Sequence, residues 1–155
     1  MPDDQLVRIV FPLDAEQSGG ILTERLWAKP VSRDTYVLDN SPFYVYGISY
    51  KDIVRAECKR GEILFREVAS RGGHSTYRLK LPPGKLHSYF LDLWSPLKQL
   101  GCTYEGASGD SRRYSVDIPP LVAVRRVYEI LNDLEQSGIC EFEEGYYFPA
   151  AATSQ

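Results

Sequence analysis

Thr76-Tyr-Arg-Leu-Lys-Leu81, then Pro82-Pro-Gly84, then Lys85-Leu-His-Ser-Tyr-Phe-Leu-Asp-Leu-Trp-Ser-Pro-Leu-Lys-Gln-Leu100 is the stretch that decides the fold. Its first six residues alternate as a strand, and the Pro-Pro-Gly cluster ends them. From Lys85 onward, Leu86, Phe90, Leu93, Leu97 and Leu100 recur at spacings of three and four, the period of a helix with one apolar face. Pro96 falls inside that pattern and predicts a kink or a restarted turn, with Ser95 as a local cap. Gly101 closes the helix.

Downstream, Cys102-Thr-Tyr-Glu105 and Arg112-Arg-Tyr-Ser-Val-Asp-Ile118 read as strands flanking a loop. Pro119-Pro120 opens a second helix, with Val124, Val127, Tyr128, Leu131 and Leu134 on one face and Gly138 as a left-handed cap. The last strand covers Ile139-Cys-Glu-Phe-Glu-Glu144 and runs through Gly145 into Tyr146-Tyr-Phe148. Residues 76–148 thus read β-α-β-β-α-β, the ferredoxin-like order, in which four antiparallel strands carry both helices on one face.

Upstream, the grammar changes. Leu6–Leu13, Ile21–Val31, Thr35–Leu38, Phe43–Tyr46, Tyr50–Glu57 and Ile63–Val68 are short extended runs separated by turn signals. Among them are Gln17-Ser-Gly-Gly20, the cluster Asp39-Asn-Ser-Pro42, and the hairpin candidate Lys59-Arg-Gly-Glu62. In the second run Leu22, Leu26 and Trp27 are candidate core residues. No good helix precedes residue 72, so a small bent sheet or partial barrel is expected. The predicted class is α+β, with a β-rich half over 1–72 packed on a ferredoxin-like half over 73–155 and no flexible linker between them.

The 155 residues carry a net charge of −3, with 43% hydrophobic and 25% charged residues. These values exclude collagen-like, disordered, coiled-coil and disulfide-scaffold classes. They also oppose a basic nucleic-acid binder, which needs surplus Lys and Arg for phosphate contacts. A nucleic-acid reading would place aromatics such as Tyr114 and Phe142 on an open sheet. The start Met1-Pro-Asp-Asp-Gln is acidic, and no early apolar run has the length of a signal core. No run has the length of a membrane span. Cys58, Cys102 and Cys140 lie about forty residues apart without a CxxC pair, which predicts reduced and mostly buried thiols in a cytoplasmic protein.

A set of linked motifs runs through most of the chain. Glu24-Arg-Leu-Trp-Ala-Lys-Pro-Val31 is followed by Tyr36-Val-Leu-Asp-Asn-Ser-Pro-Phe-Tyr44, Tyr46-Gly-Ile-Ser49, Asp52-Ile-Val54 and Arg71-Gly-Gly-His-Ser-Thr-Tyr-Arg78. Together they resemble the bacterial family called domain of unknown function 4265, over roughly residues 6–149. Most members have no assigned activity. Some look like immunity proteins encoded beside antibacterial polymorphic toxins, including ADP-ribosylating ones. The resemblance therefore implies a protein partner, a cognate toxin domain, and no cofactor.

Read as chemistry, His74-Ser75-Thr76 is the most enzyme-like string. Neighbouring residues on a strand point to opposite faces, so His74 and Ser75 are poorly placed to act on one another. The simpler reading has His74 and Thr76 satisfying buried backbone groups where the halves join. His87 reads as an exposed helix residue, and two histidines offer no metal-ligand spacing. Asp39-Asn40 has the composition of an Asx turn, and Gly72-Gly73 belongs to no phosphate fingerprint. With no catalytic trio, a non-enzymatic inhibitor is the leading expectation. The alternative is a small enzyme or ligand-binding regulatory domain built on the His74-Ser75-Thr76 and Asp39-Asn40 loops.

Charge and aromatics indicate where a partner would bind. Residues 120–155 hold two arginines against Glu129, Asp133, Glu135, Glu141, Glu143 and Glu144, a net −4, while the remainder is +1. An acidic pole steers a basic partner, and tyrosines supply anchors once it is docked. The expected partner-binding residues are Glu141, Glu143, Glu144, Tyr146 and Tyr147, with Tyr44 and Tyr46 as a second patch.

Overall fold

The computed structural model describes residues 5–149. The first five strands are β1 (Val7–Pro12), β2 (Thr23–Pro30), β3 (Thr35–Leu38), β4 (Ile53–Lys59) and β5 (Glu62–Ser70). They form an antiparallel meander that closes into a barrel, because β1 also pairs in parallel with β5 through Ile9–Ile63 and Val10–Leu64. Period-two alternation sends Ile9, Phe11, Leu26, Ala28, Leu38, Val54 and Ala56 into one core. Phe11 stacks on Phe65 at 4.7 Å. The same alternation turns Trp27 outward beside Leu26, and Leu22 lies before the strand. They are 40% and 70% exposed, so only Leu26 of the three candidates is core.

The predicted hairpin at Lys59–Glu62 joins β4 to β5. Arg60 and Gly61 both have positive φ, 54° and 82°, the backbone of the primed two-residue turn whose twist suits a hairpin.

Beyond residue 74 follow β6 (Ser75–Lys80), α1 (His87–Leu100), β7 (Thr103–Ala107), β8 (Asp110–Ile118), α2 (Val124–Gln136) and β9 (Glu141–Tyr146). The four strands form a sheet in the order β7-β8-β6-β9, and every neighbouring pair is antiparallel. Tyr77, Leu79, Tyr114, Val116 and Ile118 share a core with Phe90, Leu93, Trp94 and Leu97 of α1 and Val127 and Leu131 of α2. Phe90 lies flat on Tyr114, 3.8 Å between centroids. Tyr114 and Phe142 therefore belong to the helix-covered layer and not to an open aromatic face. Gly101 ends α1 at φ 110°, with its N–H and that of Cys102 donating to Lys98 and Leu97 carbonyls. Pro96 sits within a single assigned helix and does not divide it.

The opposite face of this sheet carries polar side chains: Thr76 and Arg78 on β6, Ser115 and Asp117 on β8, Glu105 on β7 and Glu143 on β9. The segment 39–52 lies against it. That segment contains the expected strand Phe43–Tyr46, which is absent: none of residues 43–46 lies in a strand. The reason is chemical. The Glu24 carboxylate, 9% exposed, accepts the backbone N–H groups of Phe43, Tyr44 and Val45 at 2.6, 2.9 and 2.9 Å, replacing a strand partner.

Candidate functional site at the junction of the two sheets

The segment 39–52 is fastened residue by residue. Asn40 accepts the Trp27 N–H at 2.7 Å and donates to Glu105 at 3.3 Å, while Ser41 N–H donates to the other Glu105 oxygen at 2.9 Å. The Asp39-Asn40 loop is thus a bridge from barrel to sheet. Asp52, wholly buried, accepts from Ser49 N–H, Gly72 N–H and Arg71 Nη1, each at 3.0 Å. Ser49 and Thr76 hydroxyls meet at 2.6 Å. Gly47 N–H donates to the Gly145 carbonyl of β9 at 2.9 Å.

Arg78 is the centre of this lock. It is 1% exposed, yet its three nitrogens are occupied. Nε donates to Glu143 at 2.9 Å, Nη1 to the Val45 carbonyl at 2.8 Å and Nη2 to the Tyr44 carbonyl at 3.3 Å. A guanidinium suits the position because its fork spans several acceptors and stays charged when buried.

Arginines also organise the tyrosines. Arg113 lies over Tyr44 at 4.6 Å, Arg78 over Tyr46 at 4.7 Å and Arg71 over Tyr146 at 3.9 Å. Tyr46 is 40% exposed and donates its hydroxyl proton to Glu143 at 2.6 Å. Partial burial, and then the Glu143 carboxylate, push that phenol above its usual range. Of the seven residues expected to form the partner surface, Tyr46 and Glu143 are joined directly, and Tyr44 contributes a carbonyl to the same arginine. Tyr146 lies beneath Arg71, one link further along. Glu144 accepts from the Tyr77 hydroxyl at 3.3 Å. Glu141 and Tyr147 are exposed, the latter at 46%.

His74 takes up a different partner from the backbone groups expected for it. Its Nδ1 lies 2.8 and 3.0 Å from the two oxygens of Asp117, and the Tyr50 ring meets it edge-on at 5.3 Å. Burial raises the Asp117 carboxyl above its usual range, against the opposing pull of His74. Ser75 is turned away, buried, and accepts the Phe148 N–H at 2.9 Å. Thr76 does serve the backbone, donating to the Ile48 carbonyl at 3.4 Å. His87 is exposed on α1 and lies 2.8 Å from the Tyr114 hydroxyl. Cys102 and Cys140 are buried, whereas Cys58 is exposed. Among the described residues no group of three or more His, Cys, Asp or Glu is placed to hold a metal ion.

Arg71, Arg78 and Arg113 are the residues that the partner-surface expectation omitted. Alternation already carried the signal for one of them: with Tyr77 and Leu79 facing the helices, Arg78 must face the other way.

A family model described as "Domain of unknown function (DUF4265)" matches residues 24–142. The chain belongs to this family. The matched span of the DUF4265 chain contains Glu24, Asn40, Ser49, Asp52, Arg71, Gly72, His74, Thr76 and Arg78. A solved structure described as a hypothetical protein from Neisseria gonorrhoeae shares the fold, with a TM-score of 0.74 and 19% identity over 92% of this chain and 94% of that one. No curated protein matches the DUF4265 chain. No helix among its described residues is long and apolar enough to cross a membrane.

Proposed function

We propose that the chain is a non-enzymatic inhibitor, a bacterial immunity protein that binds and occludes a cognate toxin domain in the cytoplasm. The observation that carries this reading is the Tyr46–Glu143 pair, held at 2.6 Å on a solvent-facing surface with the buried Arg78 directly behind it. An aromatic anchor whose geometry is set before binding loses little freedom on docking, which is how hot spots gain affinity. The exposed Glu141, two residues from Glu143, extends that face, and the exposed Glu144 and Tyr147 follow along the edge beside Tyr77, an acidic rim suited to a basic partner. The reading includes the architecture: a β-rich subdomain over 1–72 and a ferredoxin-like one over 73–155. The element order β6-α1-β7-β8-α2-β9 with strand order β7-β8-β6-β9 supports the second.

The test is co-expression with the neighbouring toxin, with association rates measured at low and high salt. Glu141→Gln with Glu144→Gln should slow association and flatten its salt dependence, because both charges act through a screened field. Tyr46→Ala should speed dissociation. Full protection by a folded Tyr46→Ala, Tyr147→Ala chain would remove this surface from the interaction.

The His74–Asp117 contact favours a second reading, a small enzyme whose histidine is oriented by a buried acid. A folded His74→Ala variant that binds the toxin normally yet fails to protect would establish it over the first.

A further inference from the structure

The barrel closes on itself, whereas the four-stranded sheet ends in two edges, β9 and β7. The chain covers the β9 edge itself. Phe142 N–H donates to Glu135 at 3.2 Å, and the Gly145 carbonyl accepts the Gly47 N–H at 2.9 Å. The β7 edge differs. Leu81 N–H donates to the Arg112 carbonyl at 2.8 Å, so Arg112, Tyr114 and Val116 of β8 face β6, while Ser115 and Asp117 face β7. Their partners Glu105 and Thr103 are therefore turned inward. Tyr104 and Gly106 then point their N–H and C=O groups outward, and among the described residues no hydrogen bond reaches those groups. β7 also has neither Lys nor Pro to discourage pairing.

A pocket opens beside this edge on each face of the sheet. On the helix-covered face a space of about 310 Å³ lies among Gly106, Leu86, His87 and Tyr114, and Leu86 is 73% exposed. On the other face a second space, also about 310 Å³, runs from Gly106 to Arg25 and Trp27 of β2. A strand added to β7 would send successive side chains to opposite faces, and so into these two pockets in turn. Gly106 leaves the Tyr114 ring uncovered, since a Cβ there would touch it at 3.7 Å. An aromatic side chain opposite Gly106 on the added strand would fill that position. On the barrel side the charges are already engaged. Glu105 holds Asn40 and Ser41, Glu24 holds three amides, Arg25 pairs with Glu62, and Arg8 lies over Trp27. The added residues on that side are best uncharged. A second copy of this chain fits poorly, because the two-fold pairing that matches Tyr104 with Gly106 sets the two Glu105 side chains opposite one another.

We propose that β7 is a docking edge for an extended segment of another protein. The segment continues the antiparallel sheet by pairing main chain to main chain with Tyr104 and Gly106. It places an aromatic side chain opposite Gly106 and uncharged residues toward the barrel. This edge lies across the sheet from β9, so its failure would leave the inhibitor reading untouched.

Amide NMR spectra of the intact chain, titrated with the peptide acetyl-Val-Thr-Phe-Thr-Val-amide, test it. Main-chain pairing tolerates sequence, and these residues favour strands. The Tyr104 and Gly106 amides should shift and exchange more slowly, with a Kd of about 1 mM. N-methylation of the peptide's Phe removes the proton given to the Gly106 carbonyl and should weaken binding about ten-fold or more. Replacing that Phe with Ala should weaken it about three-fold. Gly106→Pro removes an outward-facing N–H and should abolish binding. Gly106→Ala, whose Cβ has room, should still bind but lose the preference for Phe over Ala. The proposal would be overturned by absence of shifts at about 10 mM peptide, by shifts centred on β9, by equal binding of the N-methylated peptide, or by a folded Gly106→Pro chain that binds as the parent does. Dilution-dependent shifts of β7 in the chain alone would mark a second copy as the occupant and overturn it too.

Discussion

Arg78 and Glu143 form an ion pair at 2.9 Å whose two ends live in different solvents: the arginine is 1% exposed and the glutamate side chain 40%. The pair is asymmetric in energy for that reason. Losing the carboxylate leaves a buried cation with two carbonyl acceptors still in place. Losing the arginine leaves a cavity, two stranded carbonyls and an unpaired tyrosine–glutamate surface.

Arg78→Ala should therefore destabilise the chain by about 3–5 kcal/mol, the range for removing one member of a buried pair. Glu143→Gln should cost about 1–2 kcal/mol, because water reaches the exposed end and the amide oxygen still accepts a hydrogen bond. Urea unfolding of the two variants measures both, and equal losses would contradict the asymmetry.

Glu105 provides a pH signature. Burial raises its carboxyl above the usual 4.5, although Ser41 and Asn40 hydrogen-bond to the charged form. A carboxyl raised in the folded chain binds its proton there while the unfolded chain has already lost it. Its contribution to stability is complete below about pH 4.5 and is lost as pH rises through the folded value. Unfolding free energies measured from pH 4 to 7 for wild type and Glu105→Gln should show their difference moving against wild type as pH rises. Parallel curves would mean that Glu105 titrates normally.

Gly72 cannot be replaced for a reason of space. A Cβ there would lie 2.5 Å from the Lys51 carbonyl oxygen, a backbone atom that cannot swing aside. The same residue donates its N–H to Asp52 at 3.0 Å, so it cannot retreat without breaking that bond. Gly72→Ala should lose about 3 kcal/mol, at the upper end of overpacking penalties. A thermal melt within a degree or two of wild type would show that the 51–52 turn yields.

Local patterns carried most of the fold. Thr35–Leu38 is a strand with the expected limits, and both helices occupy their periodic runs because burial of one apolar face is a local rule. The Phe43–Tyr46 run shows where such rules stop. Its alternation imitates a strand, but a carboxylate about twenty residues away takes the amides first. Barrel closure was equally hidden, since nothing near Ile9 announces its partner Ile63. The partner-surface tyrosines were legible as aromatics on an acidic strand. The arginines that hold them were not, because each stack joins residues distant in sequence.

The fastening of the 39–52 segment has a consequence for biosynthesis. Residues 7–70 can pair their strands as soon as they leave the ribosome, yet the segment between β3 and β4 finds Glu105, Ser115, Glu143 and Gly145 only after those residues are made. Arg78 waits in the same way for an acid 65 positions downstream. Until β9 emerges, a charged side chain destined for full burial has no counter-ion. The interior around Arg78 is thus completed only once β9 has been made. A ribosome stalled before residue 143 would hold a barrel whose longest connection still lacks its ties to Glu143 and Gly145.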